Sequence, residues 1–156
     1  MRHNANPAFV SNCLFAVANT TSGETVLNMS GIFKVETKNN FYVLKLNGKK
    51  DQKSSNYDQL LLSGTIESCK IRGQSLGSFI MKALMPNILD YATFFNCPQS
   101  KGEFYLKEFP VIDASVLPTY LLPYSGKWEL TVIGKTKVLK STTTFLTFQV
   151  YGLTVK

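Results

Sequence analysis

The chain has 156 residues, an apolar fraction of 44% and a formal net charge of +7 at pH 7. Its length suits one domain with a substantial core, and the apolar fraction is typical of a globular rather than a disordered protein. No stretch approaches the roughly 18 consecutive apolar residues of a membrane-spanning helix. We therefore expect residues 1–156 to form a single globular domain.

The compartment is indicated by sequons and cysteines rather than by a signal peptide. No apolar segment follows the first residues, so no secretion signal is visible. Asn19 and Asn28 nevertheless each begin a glycosylation sequon without proline. The cysteines are Cys13, Cys69 and Cys97. This combination favours secretion of a truncated or mature form, the alternative being a cytosolic protein with unused sequons.

Short apolar segments separated by turn signals run through the first half, which is the pattern of a β-sandwich or β-barrel. Alternation of apolar residues predicts strands over 26–37, 41–46 and 57–69, with a turn at Asn47-Gly48. The alternating positions are Leu27, Met29, Phe33 and Val35 in the first strand, Tyr42, Leu44 and Leu46 in the second, and Leu60, Leu62 and Ile66 in the third.

The apolar period changes to three and four residues in the middle of the chain. Ser75 is the predicted N-cap, and Pro86 predicts a kink or a second helical turn. The apolar stripe consists of Leu76, Phe79, Ile80, Ala83, Leu84, Ile88 and Tyr91. We therefore predict one helical segment over about residues 75–92.

The β pattern resumes after Cys97. Phe104-Tyr105-Leu106 precedes a proline-rich stretch suited to edge strands and loops. A strand then opens at Ser125-Gly126 with Trp128, Leu130 and Val132 on one face, and Gly134-Lys135 is the predicted turn. The last strand is predicted from about 138 to 155. In it Leu146, Phe148 and Val150 face one way, and Phe145, Thr147, Gln149 and Tyr151 the other.

The positive charge is concentrated at two predicted hairpin ends. One group is Lys45, Lys49, Lys50 and Lys53, and the other is Lys135, Lys137 and Lys140. Neither group is interleaved with stacking aromatics or accompanied by a nucleic-acid-binding motif, so we expect no nucleic-acid partner. Two interpretations remain open: solvated hairpin ends, or attraction toward anionic membrane or glycan surfaces.

Catalytic and metal chemistry find little support in the sequence. His3 is the sole histidine, and the cysteine spacing is not that of a zinc site. No local spacing proposes a carboxylate pair, and the glycines lack the Gly-Lys-Ser/Thr ending of a phosphate loop. We expect no enzyme activity, no catalytic residue, no metal and no cofactor.

One ordered set of short motifs resembles a known family. In chain order the motifs are Glu67-Ser68-Cys69-Lys70, an apolar helix, Phe95-Asn96-Cys97-Pro98, Lys101-Gly102, Phe104-Tyr105-Leu106, Leu122-Pro123 and Gly126-Lys127-Trp128. The order resembles a large insect family of small secreted proteins that includes the contact-chemoreception (Che) proteins. That family looks distantly similar to the ML lipid-recognition superfamily, which contains the ganglioside activator. The resemblance covers about residues 57–156; members often have additional N-terminal cysteines, and here only Cys13 is available.

The resemblance implies an immunoglobulin-like β-sandwich whose sheets part to admit a lipid or a pheromone-like hydrocarbon, carried or presented to a membrane receptor. A Cys69–Cys97 bridge would close the loop around the helical segment and fix it over one opening, free buried thiols being the alternative. The ligand-binding wall would comprise Phe79, Ile80, Leu84 and Ile88, faced by Leu130, Val132 and Phe148. Ordinary core packing demands the same residues. The rival function is an accessory protein of a membrane receptor or channel, with a filled, ligand-free core.

Overall fold

The computed structural model describes residues 2–71, 88–110 and 126–153. In chain order the elements are β1 (Arg2–Ala5), β2 (Val10–Asn19), β3 (Thr25–Phe33), β4 (Asn40–Gly48), β5 (Gln59–Glu67), α1 (Ile88–Tyr91), β6 (Gly102–Pro110), β7 (Lys127–Val138) and β8 (Ser141–Leu153). The strands form two antiparallel sheets, ordered β1-β8-β7-β4-β5 and β2-β3-β6. The prediction of a mainly β fold is confirmed.

Alternation along β4 is as predicted and sets the register of the larger sheet. Tyr42, Leu44 and Leu46 are all buried, at 1%, 4% and 3% exposure. Their partners on β7 are Gly134, Val132 and Leu130, respectively. One face of the larger sheet therefore supplies a continuous apolar surface to the core.

Both predicted hairpin turns are wrong. Asn47 and Gly48 are the last residues of β4 and pair with β5 and β7. Gly134 and Lys135 lie inside β7, which runs on to Val138 before the chain reverses. A Cβ on Gly134 would lie 2.7 Å from Cε2 of Phe145, so this glycine leaves room for a ring rather than for a turn.

Adjacent residues of a strand normally face opposite sides of the sheet, yet Phe145 and Leu146 of β8 are both buried. A β-bulge explains this exception. Gly134 pairs with Leu146 while Lys135 pairs with Thr144, which leaves Phe145 as the extra residue on β8. The extra residue resets the alternation, so both side chains enter the core, at 1% and 2% exposure. The prediction that Phe145 faces away from Leu146 is therefore wrong, whereas Phe148 and Val150 are buried as expected.

The N-terminal part contains strands that the sequence pattern did not predict. β1 pairs with β8 from Arg2–Gln149 to Ala5–Leu146, and β2 pairs with β3. β2 is an edge strand, and within the described residues it pairs with β3 alone. Leu14 and Val17 of β2 are 69% and 52% exposed.

Other predicted strands are displaced at their ends. β3 ends at Phe33, so Val35 lies beyond it and is 39% exposed. In β5, Ile66 is buried as expected, but Leu60 is 59% exposed. A register shift between β4 and β5, where Leu46 pairs with Leu62 and Asn47 with Leu60, moves Leu60 out of the predicted alternation.

Of the predicted helical segment over 75–92, the structure describes only α1, since residues 72–87 lie outside the described ranges. After α1 the chain lies along β6. Ala92 forms a bridge with Leu106, and the Thr93 N–H donates to the Tyr105 carbonyl at 2.9 Å. No described helix is long and apolar enough to cross a membrane.

Candidate functional site

A cluster of six aromatic rings joins the two sheets at the end of the core where β4 begins. Its members are Phe33, Tyr42, Phe94, Phe95, Phe104 and Phe145. Phe33 of the smaller sheet lies 5.5 Å from Phe145 of the larger one, between ring centroids. Phe95 lies 4.7 Å from Tyr42, and most pairs are tilted or edge-to-face, as favourable ring pairs are. This half of the core is filled by side chains of the protein itself.

Tyr42 is the polar member of this aromatic cluster. It is 1% exposed, and its hydroxyl donates to the Phe94 carbonyl at 2.5 Å. Burial raises the pKa of Tyr42 far above its ordinary value. The hydroxyl is therefore a neutral hydrogen-bond donor that ties β4 to the segment after α1.

The Cys69–Cys97 disulfide is present beside the aromatic cluster. It joins the end of β5 to the segment before β6, and both cysteines are exposed. Ile71 on one side of the enclosed segment is 7% exposed, and on the other side Phe95 is 2% exposed. The bridge therefore closes a segment whose two ends are both anchored in the core.

Three buried polar residues surround the bridge. Thr37, Asn40 and Ser68 are 6%, 3% and 3% exposed. Their backbones are paired: Thr37 and Gln99 exchange two hydrogen bonds of 3.0 and 2.8 Å, and the Ser68 N–H donates to the Asn40 carbonyl at 3.0 Å. The side-chain atoms Thr37 Oγ1, Asn40 Oδ1 and Nδ2, and Ser68 Oγ have no hydrogen-bond partner among the described residues. Two clefts of about 460 and 420 Å³ flank this region, and polar side chains line much of both.

The predicted ligand wall is described in part. Val132 and Phe148 are buried at 5% and 6% exposure and pair with each other across β7 and β8. Leu130 is partly buried and packs against the same core. Phe79, Ile80 and Leu84 lie outside the described residues, and Ile88 is the first residue of α1. The structure thus brings together the three wall residues of the larger sheet, and the facing half of the wall stays a prediction.

One contact in this half of the core is not predicted by the sequence pattern. Phe15 of β2 lies 5.3 Å from Phe148 between ring centroids, and His3 of β1 stacks on Phe15 at 4.8 Å. Tyr91, which belongs to the predicted apolar stripe and ends α1, lies 5.7 Å from Phe109 of β6 between ring centroids. Alternation around Phe15 was a usable signal for β2, but a shift in register between Ser11 and Leu14 interrupts it.

Both sequons lie on the smaller sheet. Asn19 is the exposed last residue of β2, and its Oδ1 accepts a hydrogen bond from Thr25 Oγ1 at 3.1 Å. Asn28 is half-buried in β3, and its Oδ1 accepts from the Glu108 N–H at 2.9 Å. Glu108 lies where the pairing of β3 with β6 shifts register, so its backbone N–H has no partner in the β-ladder. The Asn28 side chain accepts a hydrogen bond from this N–H instead.

The tip of the β7–β8 hairpin is exposed and lies four residues beyond the predicted turn at Gly134-Lys135. Val138 and Leu139 are 41% and 98% exposed, and Leu139 has a positive φ of 56°. Lys137 and Lys140 flank them. An apolar, left-handed residue at full exposure has no packing role in the described fold.

A comparison with protein families identifies one match, and it covers much of the region just described. The family described as "Protein of unknown function (DUF1091)" matches residues 44–130, more than half of the chain. Those residues include the second half of β4, all of β5 and β6, both bridged cysteines and the start of β7. No curated protein and no solved structure matches the chain. The chain therefore belongs to the DUF1091 family.

Proposed function

We propose that the chain is an extracellular, non-enzymatic carrier of a hydrophobic small molecule, a lipid or a pheromone-like hydrocarbon used in chemosensation. In this proposal it has an ML-like, immunoglobulin-type sandwich, with the helical segment over 75–92 across one opening. The supporting observation is the disulfide-closed segment, whose flanking residues Ile71 and Phe95 are both buried in the core shared by the two sheets. A covalently closed segment anchored in this way is suited to cover an apolar interior.

The chain after α1 supports the placement of such a cover. Ala92 and Thr93 pair with the outer edge of β6, while Phe94 and Phe95 reach Tyr42 in the other sheet. This stretch therefore bridges the two sheets on the side where β6 is the edge strand. The preceding residues of the predicted helix would extend the same cover.

The aromatic cluster determines which half of the core would take a ligand. Its rings fill the end next to the bridge, so the ligand would lie toward Leu130, Val132 and Phe148 at the other end. There the walls are apolar, and a ligand would be held by burial of its surface, about 25 cal/mol per Å² removed from water. No charged or catalytic side chain is required for that mode of binding.

A second function is favoured by the same aromatic cluster. Six rings in mutual contact, together with Gly31, Gly134 and Gly152 lying beneath aromatic rings, are the marks of a tightly filled core. If this packing extends through the whole interior, the chain would act as an accessory protein of a membrane receptor or channel and would hold no ligand.

Lipid extraction separates the two functions. Protein from a secretory host would be extracted with organic solvent and the extract analysed by mass spectrometry. The carrier predicts stoichiometric lipid or hydrocarbon, and displacement of a fluorescent fatty probe from the stripped protein. A clean extract without probe binding would favour the accessory protein.

A pair of variants on β7 tests the ligand wall. Leu130→Trp fills space next to the core and is expected to abolish lipid retention and probe binding. Ile133→Trp, on the opposite face of the same strand, adds the same volume outside the core and should leave both unchanged. Circular dichroism would verify that each variant is folded. Equal retention of lipid by a folded Leu130→Trp variant would exclude this wall.

Secretion is tested through the sequons. Expression in an insect secretory host is expected to add a glycan at Asn19, which is exposed at the end of β2. Asn19→Gln should lower the mass of the secreted protein by about one glycan. The same mass measurement on Asn28→Gln shows whether the half-buried second site carries a glycan. A product that carries no glycan at either position after secretion would show that the sequons are not used.

A further inference from the structure

The β7–β8 hairpin tip, Lys137–Lys140, combines exposed apolar side chains with positive charge. Leu139 is 98% exposed and Val138 is 41% exposed, and a lysine stands on each side of the pair. Ser141 closes the turn by donating from its hydroxyl to the Val138 carbonyl at 3.0 Å. The tip is therefore an ordered hairpin end that presents two aliphatic side chains to the surroundings.

Folding alone does not account for Leu139. Its φ of 56° lies in the left-handed region, where glycine or asparagine is less strained than leucine. Its side chain is almost fully exposed, so it contributes little to the core. A strained, exposed leucine at a hairpin tip is instead suited to a surface that it contacts outside the protein.

Charge indicates what that surface is. From residue 130 to residue 153 the chain contains three lysines and no aspartate or glutamate. A neighbouring loop is joined to the hairpin by a 3.3 Å hydrogen bond from the Lys137 N–H to the Asn39 carbonyl. This loop contributes two positive charges, Lys34 and Lys38, one negative charge, Glu36, and the exposed side chain of Val35. Aliphatic tips surrounded by lysines match an anionic lipid surface, with the lysines at the headgroups and the aliphatic groups below them.

We propose that the hairpin tip docks the protein on anionic lipid bilayers, with Leu139 and Val138 entering the interface and Lys137 and Lys140 contacting the headgroups. The surface lies on the loops of the protein and is independent of a ligand in the core. A filled core and a lipid-binding tip are compatible, so the two proposals fail separately.

Vesicle co-sedimentation of the full chain tests the docking surface. The probes are vesicles of phosphatidylcholine alone and of phosphatidylcholine with about one-third phosphatidylserine. The wild type is expected to sediment with the anionic vesicles and to be released by salt. Lys137→Gln with Lys140→Gln should weaken binding about 25-fold, at about fivefold for each lysine near an anionic surface.

Leu139→Asn is the informative apolar variant, because asparagine tolerates the left-handed conformation and so preserves the fold. We expect an unchanged or higher Tm and at least about a tenfold loss of vesicle binding. The matched control is Leu14→Asn, which removes another exposed leucine, on β2 of the other sheet, and should leave binding unchanged.

Four results would overturn the proposal. They are an absence of sedimentation with anionic vesicles, equal binding to neutral and anionic vesicles, and equal loss of binding in Leu14→Asn and Leu139→Asn. The fourth is a wild-type dimer that Leu139→Asn dissociates while vesicle binding is unchanged, since the tip would then contact a second copy of the chain. Analytical ultracentrifugation measures the last of these.

Discussion

Removal of the Cys69–Cys97 bridge is predicted to have a large and calculable effect on stability. The two cysteines are 28 residues apart, and constraining a loop of that length removes about 12 cal/mol/K of entropy from the unfolded chain. At 25 °C this corresponds to about 3.5 kcal/mol. For a domain of this length, 1 kcal/mol shifts Tm by about 2–4 °C, so Cys69→Ser with Cys97→Ser should lower Tm by about 7–14 °C.

The location of the bridge makes this loss simple to interpret. Both cysteines are exposed, so serine at each position leaves no cavity and buries no new polar group. Differential scanning fluorimetry would compare this double variant with reduced wild type, which should melt at a similar temperature, and with Cys13→Ser as a control for loss of a thiol. A drop below about 2 °C, or a drop no larger than that of Cys13→Ser, would refute the reasoning.

Three further substitutions probe the packing of the core. Gly152→Ala is expected to destabilise the fold by about 1–3 kcal/mol in urea unfolding, because its Cβ would lie 2.0 Å from Cζ2 of Trp128; wild-type stability would show that the ring does not rest on this glycine. Tyr42→Phe should cost about 1 kcal/mol through the lost hydrogen bond to Phe94. Because burial raises the pKa of Tyr42, only the unfolded chain releases this proton above about pH 10, so the free energy of unfolding of the wild type falls there as pH rises. Tyr42→Phe should make this fall less steep. A variant that falls as steeply as wild type would contradict that assignment. Thr37→Val should leave Tm unchanged or raise it, since its buried Oγ1 has no partner among the described residues, and a loss above about 1 kcal/mol would contradict this.

The sequence predicted those parts of the fold where local alternation and final burial agree. In β4, residues 42, 44 and 46 alternate in sequence and are buried in the structure, because the pairing of β4 with β7 runs without a register shift. The same holds for Leu146, Phe148 and Val150 of β8. The bridge was predicted because Cys69 and Cys97 bracket the helical segment, although their spacing alone leaves free thiols as an alternative.

Glycine was the main source of error. Asn47-Gly48 and Gly134-Lys135 have the composition of turns, yet both glycines lie within strands. At Gly134 the reason is the ring of Phe145 on the neighbouring strand, which occupies the space that a Cβ would fill. This contact depends on how β7 pairs with β8 and not on the local sequence. The bulge at Phe145 is likewise set by the pairing of two strands. Local periodicity carries no information on either feature.

The candidate site was predictable in one half only. Leu130, Val132 and Phe148 follow from strand alternation, whereas Phe15 reaches Phe148 from a strand that the pattern did not indicate. The exposed Leu139 became recognisable only once the true position of the β7–β8 turn was known. Its signal in the sequence was an aliphatic pair between two lysines, which is equally typical of a strand.

The edge formed by β2 has a practical consequence for handling the protein. Residues 4–23 contain no charged side chain, and β2 lacks the lysines and prolines that keep natural sheet edges from pairing with other molecules. Leu14 and Val17 also expose apolar side chains on this edge strand. A glycan at Asn19 would stand at the end of the same strand, so material made in a bacterial cytosol should aggregate more readily than material from a glycosylating host.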